Sequence, residues 1–126
     1  MKIMVLVIYS FMRWSVNPRN PLALHEQIAV NVRQALTEGA LAPGERLPPA
    51  SELAAVLEIN PNTVLRAYRN LREEGVLEFR RGRAVRVCDD AAVRASVIQA
   101  ARQLLAAGRA CGYSPSALAA LLEELA

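Results

Sequence analysis

From Leu24 onward apolar residues return at every fourth position, Leu24, Ile28, Val32 and Leu36. Ala29 and Ala35 widen that stripe, while Glu26, Gln27, Arg33 and Gln34 lie off it. The spacing predicts an amphipathic helix packed on a core, closed by Gly39. Residues 41–49, with Pro43, Gly44, Pro48 and Pro49, cannot be helical and read as a connector. A short helix is expected over 51–57, then a tight turn at Glu58-Ile59. Asn60-Pro61 suits a helix start, an N-cap followed by proline at the first position. The helix over 61–74 should bury Val64, Ala67, Tyr68 and Leu71 and end at Gly75. Residues 76–80 and 84–87 alternate like strands around Arg81-Gly82-Arg83, which predicts a hairpin. Three helices followed by a two-stranded wing define a winged helix-turn-helix, mainly α with a small β-hairpin.

The flanking segments divide the chain further. After Asp89-Asp90, a candidate N-cap pair, a long helix to about Arg109 carries Val93, Val97, Ile98, Ala101, Leu104 and Leu105 on one stripe. Gly108 and Gly112 are expected to loosen its end, and Ser114-Pro115 to restart a helix bearing Leu118, Leu121, Leu122 and Leu125. Two helices cannot enclose a ligand pocket of ~300 Å³ by themselves, so no effector is assigned. Their apolar faces need a partner, and the same pair from a second subunit is the economical one. Residues 89–126 are therefore expected to be a two-helix dimerisation tail, using Val97, Ile98, Ala101, Leu104, Leu105, Leu118, Leu121 and Leu122. The alternative is a tail folded back on its own winged helix. At the other end, residues 3–12 are mostly apolar but fall short of the ~20 a membrane helix needs, with no small-residue cleavage site. Val5 to Ile8 favour a strand, docked on the first helix or on another subunit; translation starting at Met12 is the second reading. Three segments follow: 1–19 an apolar lead, 20–88 the winged helix, 89–126 the tail.

Composition narrows the class. The 126 residues, 53% hydrophobic and 21% charged, can bury a core, yet the length excludes a large two-domain enzyme. The net charge of +3 is unremarkable until it is located. Residues 61–86 hold seven arginines against three glutamates, residues 1–60 are neutral, and residues 87–126 carry −1. The basic excess sits on the third helix and the wing, as phosphate contact requires. Over 51–71, Ala54 and Ala55 let one helix cross the next closely, and Leu57 and Ile59 flank the turn. The following helix presents Asn60, Asn62 and Thr63 at its N-terminal end, where major-groove helices meet base edges, with Arg66 and Arg69 spaced for phosphates. Cys88 and Cys111 form no CxxC pair or disulfide framework, which favours a reducing cytoplasm. His25 is the only histidine, and no nucleophile–base pair or metal-ligand spacing is present. No enzyme activity, cofactor, metal or membrane partner is expected. The rival reading is a winged helix that binds protein and not DNA.

Pro21-Leu22, Glu26-Gln27-Ile28, the run Pro43-Gly44-Glu45-Arg46-Leu47-Pro48 and Glu52-Leu53-Ala54 set up a known pattern. Asn60-Pro61-Asn62-Thr63-Val64, Arg66-Ala67-Tyr68, Leu71-Arg72-Glu73-Glu74-Gly75 and Arg81-Gly82-Arg83 complete it. Over residues 20–88 the chain resembles the GntR family of bacterial regulators, and its Asn-Pro-Asn-Thr-Val run and short tail resemble the YtrA subfamily. The resemblance implies a homodimeric DNA-binding repressor with its third helix in the major groove and its wing tip near the minor groove. It implies DNA contacts from Asn60, Asn62, Thr63 and Arg66, and from Gly82 with Arg83 beside it; Arg69 and Arg81 join them by charge. Gly82 also has a local reason, since a hairpin tip asks for positive φ and close approach to DNA. Four departures stand out. Pro49 replaces the family's usual serine and removes a capping box ending at Glu52; Ser51 replaces a DNA-contacting arginine. Glu58 replaces the usual turn glycine, at a cost if φ is positive there. Leu65 stands where the family often has a polar residue, so that readout there is apolar or absent.

Overall fold

The computed structural model describes residues 3–6, 13–79 and 85–126. Two compact units divide between Ser96 and Val97. The first opens with an antiparallel pair, β1 (Ile3–Leu6) and β2 (Arg13–Val16), Val5 opposite Trp14. Then come α1 (Leu24–Thr37), β3 (Arg46–Leu47), α2 (Ala50–Leu57), α3 (Pro61–Glu73), β4 (Leu77–Phe79) and β5 (Val85–Val87). The expected wing strands form, and a third joins them: β3 pairs antiparallel with β5, giving the order β3-β5-β4. The connector is not helical, as expected, but its Arg46-Leu47 step makes a strand, too short for an alternating pattern to announce.

The core draws on every element described after β1. Trp14 and Val16 of β2, Ile28 and Val32 of α1, Leu53 and Leu57 of α2, and Val64, Ala67, Tyr68 and Leu71 of α3 are all buried. Leu47, Leu77, Val85 and Val87 bring in the sheet, and Ala91 and Ala95 bring in the start of α4 (Ala91–Ala110). Gln27 and Arg33, placed off the α1 stripe, are buried with it. The Gln27 amide accepts from the Asn17 N–H (2.7 Å) and donates to the carbonyls of Asn17 and Leu22. One turn on, Asn31 accepts from the Ser15 N–H (2.9 Å) and donates to its carbonyl. These two amides satisfy alternate residues, Ser15 in β2 and Asn17 just past it, so this strand docks on α1. Arg33, at 1% exposure, forms a bidentate pair with Glu74 just past α3. Helical periodicity ranks polar residues outward and overlooks partners supplied from far along the chain. Val7 and Ile8 of the expected strand, and Met12, lie outside the described residues.

The second unit, residues 97–126, holds the rest of α4 and α5 (Pro115–Leu125). Ser114 caps α5, its hydroxyl accepting from the Ala117 N–H at 3.1 Å. Gly108 does not loosen α4. It is buried inside the last turns, and a Cβ there would stand 2.6 Å from a methyl carbon of Leu118. Glycine here lets the two helices approach closely. Leu118 is consequently buried within the tail itself, whereas Leu122 and Leu125 are exposed.

Candidate nucleic-acid interface

The site is built on α2 and α3. Pro49 precedes α2 without a side-chain cap bond, and its carbonyl receives the N–H groups of Glu52 and Leu53. The capping box is indeed absent. Ser51 is exposed on the first turn of α2. Of the two small residues proposed for the crossing, Ala54 is buried against α3 and Ala55 faces out. Helix α2 ends in a Schellman motif: Ile59 N–H reaches the Ala54 carbonyl and Glu58 N–H the Ala55 carbonyl. Glu58 sits there at φ 58°, ψ 44°, the one non-glycine at positive φ among the described residues.

Helix α3 starts as read from the sequence. Asn60 is extended, and its Oδ1 accepts the Asn62 N–H at 2.9 Å. With Val64, Ala67, Tyr68 and Leu71 turned inward, Asn62, Arg66 and Arg69 face outward at helical spacing. Thr63 is half-buried on one flank and Leu65 on the other. Among the described residues, no hydrogen bond or ion pair engages Arg66 or Arg69. Their charges are therefore free for an external partner. Tyr68 donates its hydroxyl to the buried Pro48 carbonyl at 2.8 Å, and burial pushes that phenol far above its ordinary pKa. Arg72 lies over the Phe79 ring, 4.7 Å from its centroid, joining α3 to the wing.

Between these elements opens an apolar pocket of about 340 Å³. Pro49, Ala50 and Ser51 form one wall, Pro61 and Leu65 another, and Phe79 and Val85 the wing side. Arg81, Gly82 and Arg83, proposed for the wing tip, lie outside the described residues. Sequence reasoning missed the Arg33–Glu74 pair and this pocket. A signal for the first existed: Arg33 stands four residues after Ala29 and three before Leu36, on the margin of the stripe. The pocket had none, because its walls come from segments distant in sequence. Among the described residues no cluster of His, Cys, Asp and Glu could hold a metal, and no helix is long and apolar enough to cross a membrane.

Comparison with known proteins agrees with this geometry. Residues 24–87, which span α1 to β5, match the family model described as bacterial regulatory proteins, gntR family. The chain is 37% identical over 76 residues to the HTH-type transcriptional repressor YtrA of Bacillus subtilis, covering 60% of this chain and 58% of that protein. It is 33% identical over 93 residues to the HTH-type transcriptional regulator Rv1152 of Mycobacterium tuberculosis, covering 74% and 77%. The solved structure of YtrA from Sulfolobus acidocaldarius, a GntR-family transcription factor, superposes with a TM-score of 0.57 at 28% identity, over 71% of this chain and 94% of that one. The match to Bacillus YtrA spans less than two thirds of that relative's length. The family match takes in half of the chain and all of its winged helix, and the relatives are named as transcriptional regulators and not as enzymes. The chain belongs to the gntR family of bacterial regulatory proteins, which are DNA-binding transcriptional regulators, and within it resembles YtrA.

Proposed function

We propose that this protein is a homodimeric repressor that binds a palindromic operator in the bacterial cytoplasm. The observation that carries the reading is the outward face of α3, where the side chains of Asn62, Arg66 and Arg69 stand exposed, the two arginines unengaged among the described residues. Residues 20–88 read DNA. Asn60, Asn62 and Thr63 lie at the groove-entering end of α3; Arg66 and Arg69 reach phosphates, Ser51 adds a contact from α2, and Arg81, Gly82 and Arg83 follow from the wing. In the lead segment, β2 and the residue after it brace α1.

Residues 89–126 join two copies. Val93 and Val97 on α4 are 69% and 63% exposed, and Leu122 and Leu125 on α5 are also uncovered. Ile98, Leu104, Leu105 and Leu121 are half-buried and Ala101 is exposed, whereas Leu118 is taken up inside the hairpin of the tail. Such apolar exposure on helices is what a second copy would cover. Twofold symmetry then sets the half-sites one helical turn apart, ~34–36 Å, or a multiple of it.

Selection of bound fragments with the purified protein should return a palindrome. Replacing Arg66, Arg69 and Arg83 together with alanine should abolish binding and leave the dimer intact by sedimentation. Affinity for the palindrome should fall steeply with salt, because each phosphate neutralised releases counterions. An affinity indifferent to salt, or one surviving the triple replacement, would refute phosphate contact by these arginines, and failure to select any DNA would assign this winged helix to a protein partner instead.

A further inference from the structure

We infer that the pocket beside Leu65 reads the 5-methyl group of one thymine in each half-site, and that Leu65 is a specificity-determining residue. The inference rests on the DNA-binding reading above. On α3, at ~100° per residue, Leu65 falls beside the Asn62–Arg66–Arg69 face, on the flank turned toward the wing. It is a large apolar residue beside an outward face, Asn62, Arg66 and Arg69, that is polar. Its side chain is half-buried and opens into the 340 Å³ pocket with Pro49, Ala50, Pro61, Phe79 and Val85. Phe79 remains 37% exposed at the rim.

The location of this apolar concavity identifies its occupant. It lies between the starts of α2 and α3 and the wing, flanked by the cationic Arg66 and Arg69, so bound DNA would cover it. Apart from the polar atoms that hydrogen-bond, the major-groove edge of unmodified DNA offers one apolar group, the thymine methyl. A polar side chain at position 65 would hydrogen-bond to a base or phosphate. Leucine cannot, and it discriminates by burying a methyl that cytosine and the purines lack.

The test uses the full-length protein and the operator obtained by selection, with deoxyuridine replacing thymidine one position at a time. At one thymine per half-site, loss of the methyl should weaken binding about fourfold per half-site, what burial of one such group is worth. Leu65→Ser should bind the thymine and uracil operators equally, while Leu65→Met should keep the preference. Fluorescence of the buried Trp14 checks that each variant is folded. 5-Methylcytosine presents the same group, so a third arm methylates each cytosine in turn. A gain there, with no thymine sensitive, would overturn the thymine assignment. Tight, specific binding indifferent to uracil everywhere would overturn the inference and leave the function standing. A sensitive thymine that stays sensitive in Leu65→Ser would remove Leu65 from the role. Failure to bind any DNA would refute the underlying reading and this one with it.

Discussion

Replacing Glu58 with glycine should stabilise the protein. Glu58 closes α2 in the left-handed region, at φ 58° and ψ 44°, where Cβ crowds the following carbonyl. That conformation costs an ordinary residue about 1–2 kcal/mol. Glycine escapes the clash but loses more freedom on folding, which returns about 0.5–1 kcal/mol. The carboxylate is exposed, with no hydrogen bond or ion pair among the described residues to lose. The net expectation is a gain of about 0.5–1 kcal/mol. An unfolding entropy of about 0.2 kcal/mol/K for a unit of this size turns that into a rise of about 3–5 °C in Tm. The same motif ends α3, where Gly75 holds φ 80° and the N–H of Val76 reaches the Leu71 carbonyl. Glycine is thus already used where this chain repeats the geometry. The assay is thermal unfolding followed by helical circular dichroism and by Trp14 fluorescence. Glu58→Ala, which retains Cβ and the strain, is the control and should leave Tm close to the parent. Equal Tm values for the glycine and alanine variants would refute the reasoning.

Three further outcomes follow from buried groups. Arg33→Met alone should cost about 3–5 kcal/mol, because it takes the buried guanidinium away from the Glu74 carboxylate, while Arg33→Met with Glu74→Leu should recover most of that in urea unfolding. Arg33 Nη1 has no hydrogen-bond partner, so the pair is incompletely satisfied and hydrocarbon can replace it. Tyr68→Phe should cost about 1–2 kcal/mol at neutral pH by leaving the Pro48 carbonyl without its donor. The buried phenol keeps its proton in the fold, whereas an unfolded tyrosine ionises near pH 10. Its contribution is therefore full below about pH 10 and declines above it, and the stability gap between parent and Tyr68→Phe should narrow there. Finally, a thiol reagent at pH 8 should label exposed Cys111 before Cys88, whose pKa is raised by burial and then by Glu78 and the aspartates nearby; equal rates in the two single-cysteine variants would contradict this.

What could be read from the sequence was what local physics controls. Asn60-Pro61 caps a helix wherever it stands, and the four inward residues of α3 follow from its period alone. Glu58 betrayed its strain by occupying a turn between two helical patterns. What could not be read required partners remote in sequence. Gln27 is buried and Asn31 half-buried because backbone in and just after β2 offers them partners, and Arg33 is buried because Glu74, 41 residues away, meets it. Gly108 read as a breaker because its role depends on Leu118 arriving against it from the next helix. The outward residues of α3 were legible as a basic face, but the apolar pocket beside them exists only once α2, α3 and the wing converge.

These remote contacts explain how α3 can serve as a rigid reading head. Its N-terminus is held by the Asn60 cap, its middle by Tyr68 on the Pro48 carbonyl, its wing-side flank by Arg72 on Phe79, and its far end by Arg33 on Glu74. A helix fixed at both ends enters a groove without further ordering, so its outward side chains can spend their contacts on DNA. None of these anchors passes through the side chain of Glu58. Relief of strain at the turn, with the Schellman hydrogen bonds and the Asn60 cap retained, should therefore raise Tm and leave operator affinity within about twofold. A tenfold change in affinity in Glu58→Gly would mean that the strained turn, and not the four anchors, sets the angle at which α3 meets its operator.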